Sequence, residues 1–82
     1  MQLVEPIHIG HLIQTELKEQ RRSAAWLAEE LNCNRANVYN IFNRRTIDTE
    51  LLERISLILH RNFFELMARE ISNEERHQKD VV

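Results

Sequence analysis

Six side chains between positions 35 and 45 carry guanidinium or carboxamide heads suited to one kind of chemistry: Arg35, Asn37, Asn40, Asn43, Arg44 and Arg45. A guanidinium can grip guanine through two hydrogen bonds, and a carboxamide can do the same with adenine. Each such pair is worth about 1–3 kcal/mol of discrimination between bases. Between them stand Ala36, which suits a thymine methyl, and Tyr39, which offers a hydroxyl to phosphate or a ring to a base edge. Residues 35–47 hold three arginines and no acid, a local charge of +3 in a chain whose net charge is −2. Residues 1–34 sum to −2 and residues 48–82 to −3. A basic patch inside an acidic chain matters more to a polyanion than the total does. The rival reading is a solvated helix face, with arginines paired to surface glutamates and asparagines exposed as amides.

Other reactive groups offer less. His8 and His11 share a helix face at i, i+3, but no third ligand accompanies them at metal-site spacing, so helix histidines without a metal are expected. Cys33 is the sole cysteine and has no activating histidine at a telling spacing, which favours a half-buried structural thiol over a nucleophile or redox sensor. No nucleophile, base and oxyanion donor are grouped. The chain therefore reads as a non-enzyme, with no catalytic residue, cofactor or small-molecule substrate expected.

These groups need a scaffold, and length and composition limit the choice. Eighty-two residues make one small domain, and 43% hydrophobic residues suffice for a core. One glycine and one proline argue against an all-β fold and for helices with short connections. No apolar run is long enough to span a bilayer, and the opening residues lack a secretory leader's pattern. With one cysteine, a reducing cytoplasm is the expected compartment.

Apolar spacing and capping residues predict five helices. The first opens near Pro6 and runs to about Gln20, with Ile9, Leu12, Ile13 and Leu17 on one face. Gly10 lies inside it at a cost of about 1 kcal/mol against alanine, which close packing against a neighbour would explain. Ser23 caps the second, which buries Leu27, Ala28 and Leu31 and stops at Asn32, a residue type that tolerates a left-handed backbone. Asn34 caps the third, from Arg35 to about Asn43, with Val38, Ile41 and Phe42 inward. Asp48 caps the fourth, with Leu51, Leu52, Ile55, Ile58 and Leu59 inward, and Asn62 caps the fifth, with Phe63, Leu66, Met67 and Ile71. Residues 1–71 form the expected domain, and the polar residues 72–82 a frayed or disordered tail.

Only Asn32, Cys33 and Asn34 separate the second helix from the third, so the two must cross steeply. That is the helix-turn-helix arrangement, whose second helix can enter a major groove. With Val38 and Ile41 turned inward, its outer face is Arg35, Ala36, Asn37, Tyr39, Asn40 and Asn43.

Over about residues 7–71 the sequence resembles the phage-repressor-type (Xre/Cro-like) helix-turn-helix proteins. The resemblance is carried by Leu27-Ala28, Leu31, the turn at Asn32, Val38 and Ile41, then Ile47-Asp48 with Leu52, Ile55 and Leu59. It implies an all-α, compact bundle of four to five helices that binds double-stranded DNA as a transcriptional regulator, a repressor first, acting as a homodimer. By position it makes 35–43 the recognition helix and Arg35, Ala36, Asn37 and Asn40 the base contacts. Ser23 or Ala24, and Asn43, Arg44 and Arg45, fall where the family contacts the DNA backbone, and Tyr39 joins them through its hydroxyl. The chain departs from the family pattern at Asn32 and Arg44, where glycine is common, at Ala24, where a polar residue is common, and at Ile47, where proline is frequent.

Of the aromatic residues, Trp26 reads as a core or core-edge ring. Phe63 and Phe64 are adjacent, so a helix cannot bury both. One enters the core, and Phe64 with Met67 forms the expected dimer patch. The alternative function is a protein-interaction module, an antitoxin or adaptor on the same scaffold. The discriminating feature is the acid-free face of 35–45, which an adaptor has no reason to keep.

Overall fold

Helix ends leave unpaired backbone groups that need partners, and this chain supplies them from side chains spaced along its length. The computed structural model describes residues 7–81, with side chains through 73. Regular structure among these residues is helical: α1 (Ile9–Glu19), α2 (Ala24–Leu31), α3 (Arg35–Phe42), α4 (Thr49–Leu59) and α5 (Phe63–Val81).

The expected caps form. Ser23 Oγ accepts from the Trp26 amide at 3.0 Å, Asn34 Oδ1 from Asn37 at 2.9 Å, Asp48 Oδ1 from Leu51 at 2.8 Å and Asn62 Oδ1 from Glu65 at 3.1 Å. The first helix differs from expectation. Pro6 lies outside the described residues, and helical geometry begins only at Ile9, because His8 adopts an extended backbone and its Nδ1 accepts from the His11 amide at 3.1 Å.

C-terminal ends rely on residues other than glycine. Asn32 closes α2 at φ 58° and His60 closes α4 at φ 53°, both left-handed, and Arg21 follows α1 at φ 58°. Left-handed geometry costs an L-residue about 1–2 kcal/mol unless a short polar side chain relieves it, as asparagine can. The end of α3 is shaped differently. Asn43 keeps right-handed angles and the Arg44 amide donates to the Ile41 carbonyl at 3.0 Å, so the arginine at a position where glycine is common needs no positive φ.

The core joins all five helices. Ile13, Leu17, Leu27, Val38, Leu52, Ile55, Leu59 and Phe63 are buried, with Leu12, Trp26, Leu51, Ile58, Leu66 and Met67 half-buried around them. Gly10 meets the expectation of close packing: a Cβ there would overlap the carbonyl oxygens of Ile41 and Phe42. At the far end, Gln20 Nε2 donates to the Leu59 carbonyl at 2.8 Å and to Glu16 Oε2 at 2.9 Å, while Glu16 Oε1 meets Arg61 Nε at 3.4 Å. These bonds tie α1 to the turn between α4 and α5.

Polarity from Ser72 onward suggests a frayed tail, but the backbone of α5 stays helical to Val81. Residues 72–80 contain no glycine or proline, and their Glu, Arg, Gln and Lys are good helix formers. Burial nonetheless ends early: Ala68 through Asn73 are exposed, because only the first turns of α5 pack on the bundle. The exposed residues include Ile71, which was expected on the inward face with Phe63, Leu66 and Met67.

Candidate nucleic-acid interface

The third helix has too few apolar residues to be buried all round. Val38, Ile41 and Phe42 enter the core, which forces Arg35, Ala36, Asn37, Tyr39 and Asn40 outward, with Asn43 exposed at its end. The base-contact candidates are thus presented together on one short helix. Tyr39 is 52% exposed, and its ring meets Phe42 edge-on at 5.9 Å between centroids, which steadies the ring.

Arg44 and Arg45 follow in a loop whose backbone is fixed. The amides of Gly10 and Ile9, at the start of α1, donate to the carbonyls of Arg44 and Arg45 at 2.9 and 3.0 Å. Unpaired amides at the start of one helix thereby meet the segment leaving the end of another, and both guanidinium side chains remain exposed. Ser23 is also exposed; its oxygen caps α2 and its hydroxyl hydrogen remains available as a donor.

Among the described residues, Arg35, Arg44 and Arg45 take part in neither of the two ion pairs, Glu16–Arg61 and Glu65–Arg69. The surface formed by α3 and residues 43–47 carries positive charge with no carboxylate of its own. It can accept an anionic backbone and still offer amide and guanidinium groups to base edges.

The remaining candidates have local roles. His8 and His11 stack at 3.6 Å between ring centroids, and His8 serves as a helix cap. Cys33 is half-buried in the turn between α2 and α3. Trp26 is half-buried, with the Arg22 guanidinium 4.2 Å from its ring centroid.

Phe63 is buried and Phe64 is 40% exposed, as adjacency requires. Met67 packs against the core instead of standing free beside Phe64. The apolar neighbour of Phe64 is Leu57, 69% exposed, and the two share a surface hollow of about 520 Å³ with Glu53, His60 and Arg61. Leu57 was legible in principle: a helix cannot bury Leu57, Ile58 and Leu59 in succession. Arg54 was also missed. It reaches from α4 to the Leu31 carbonyl at 3.4 Å and lines a groove with Asn37, Asn40 and Arg44. Sequence offered no signal for this, because the placement depends on how α4 crosses α3.

Fold and site together define a small all-helical protein that presents a short, acid-free polar helix. No family model, curated protein or solved structure matches the chain. Among the described residues no helix is long and apolar enough to cross a membrane.

Proposed function

We propose that this protein binds double-stranded DNA in a sequence-specific way and regulates transcription by occupancy, as a repressor in the first instance. The observation that carries the reading is the exposed, acid-free face of α3 running into the anchored Arg44–Arg45 loop. The likeness of residues 7–71 to the phage-repressor-type helix-turn-helix proteins supports it. In this reading α2 and α3 are the helix-turn-helix, and α3 enters the major groove. Arg35, Ala36, Asn37 and Asn40 read bases, while Ser23, Tyr39, Asn43, Arg44 and Arg45 hold the backbone. A homodimer places two such helices on half-sites about 34–36 Å apart. Phosphate neutralisation supplies much of the affinity, so binding weakens steeply with salt.

The exposed Leu57–Phe64 surface has a place in the same scheme as the dimer patch. It also favours the second reading, a protein-interaction module whose apolar surface receives another protein.

Selection of bound fragments from a genomic DNA library, with the Arg35→Ala/Asn40→Ala variant beside the native chain, separates the two. Enrichment of a two-fold-symmetric motif by the native chain alone establishes base reading through α3. No enrichment by folded native protein at low salt moves the weight to the protein-interaction module.

A further inference from the structure

We propose that the groove between α3 and α4 is a phosphate subsite of the DNA interface and that Arg54 is its anchoring cation; the inference rests on the DNA-binding reading above. The groove has a volume of about 330 Å³. Its apolar floor includes Ile41 and Leu51, and its polar lining is Asn37, Asn40, Arg44 and Arg54. Two guanidiniums from different elements share it, one from the loop after α3 and one from α4. No carboxylate lines it, and neither arginine takes part in an ion pair among the described residues.

Arg54 differs from an unrestrained surface arginine. One Nη donates to the carbonyl of Leu31, the last residue of α2, at 3.4 Å, which holds the guanidinium beside the turn between α2 and α3. A guanidinium has five N–H donors in a rigid fork, so this bond leaves a pre-oriented set for a tetrahedral anion. Asn37 and Asn40 belong both to the groove and to the candidate base-reading face. A duplex seated on that face therefore brings its sugar–phosphate strand to the groove, and Arg54 neutralises one phosphate beyond those met by Arg44 and Arg45.

The test measures binding of a fluorescent random-sequence duplex against salt for the native chain, Arg54→Gln and Arg54→Lys, with melting curves for all three. Glutamine keeps a polar side chain but removes the charge and is too short to reach the Leu31 carbonyl; lysine keeps the charge. Loss of one phosphate contact reduces the slope of log affinity against log salt by about 0.9 in Arg54→Gln, whereas Arg54→Lys keeps the native slope. An unchanged slope and affinity in Arg54→Gln overturns the proposal while leaving DNA binding intact. So does loss of binding by both variants in proportion to lowered melting temperatures, which is a structural role. Saturable uptake of inorganic phosphate that Arg54→Gln abolishes, with duplex binding untouched, reassigns the groove to a free anion and overturns the proposal as well. A folded native chain that binds no duplex removes the DNA reading and this inference together.

Discussion

Gly10 in the first turn of α1 lies against the carbonyl of Phe42 at the end of α3, at a separation that no side chain would permit. The contact brings the Ile9 and Gly10 amides within hydrogen-bond reach of two carbonyls in the loop after α3, those of Arg45 and Arg44. The direction in which α3 leaves the bundle is thus fixed by a residue twenty-five positions before its first turn. In the proposed function, that direction sets where Arg44 and Arg45 meet the phosphate strand.

Gly10→Ala tests this contact. Alanine is the better helix former by about 1 kcal/mol, so an open site would be stabilised. Because the added methyl meets backbone, we expect net destabilisation of about 1–3 kcal/mol, the usual range for overpacking. Urea denaturation reads it; a raised midpoint contradicts the close approach.

Left-handed backbone at His60 and Arg21 carries a cost that glycine would remove. His60→Gly and Arg21→Gly should each raise stability by about 0.5–1 kcal/mol, the relief of left-handed strain being partly offset by the greater freedom of glycine in the unfolded chain. Asn32→Gly should change less, because asparagine tolerates this geometry better. Thermal melts of the three single variants give the order directly, and a lowered melting temperature for His60→Gly runs against it.

Base-reading and backbone-holding roles predict different losses. Asn40→Ala should cost about 1–3 kcal/mol on the preferred site and relax preference at one position of it, with the salt slope unchanged. Arg45→Ala should weaken all sequences alike and lower the salt slope by about one. Titrations on selected and scrambled duplexes at several salt concentrations distinguish them. Uniform weakening by Asn40→Ala would place that residue on the backbone.

In the proposed dimer, Leu57 and Phe64 are the exposed apolar residues through which two copies pair. Leu57→Asp should shift sedimentation equilibrium toward monomer and flatten cooperative binding to a two-half-site duplex, while the melting temperature of the monomer changes little. The side chain is 69% exposed, so the substitution empties no core site. Identical association for native and variant chains excludes this surface.

Short-range chemistry accounts for what was legible beforehand. Ser23, Asn34, Asp48 and Asn62 each cap a helix through an amide three residues on, and such contacts depend on little beyond local backbone. The same local logic placed Asn32 in a left-handed turn and put Phe63 inside with Phe64 outside. Two ends escaped it. His8 opens α1, a role for which histidine is an uncommon choice, and α5 runs to Val81 because helix propensity persists where polarity alone suggested a tail.

By itself, the sequence determined an all-helical chain, the caps of α2 to α5, the inward faces of α1 to α4 and the acid-free stretch from Arg35 to Arg45. Each of these follows from residue type at i, i+3 and i+4 spacing, which acts over a turn or two of chain. Only the tertiary structure decided what lies beside what. It set the carbonyls of Ile41 and Phe42 against Gly10, brought Arg54 to the carbonyl of Leu31 and left Leu57 beside Phe64 on the surface. Those neighbours come from different helices, and their meeting depends on how the helices cross. Crossing is fixed by the shapes of packed side chains across the whole core, a property that no local window of sequence contains.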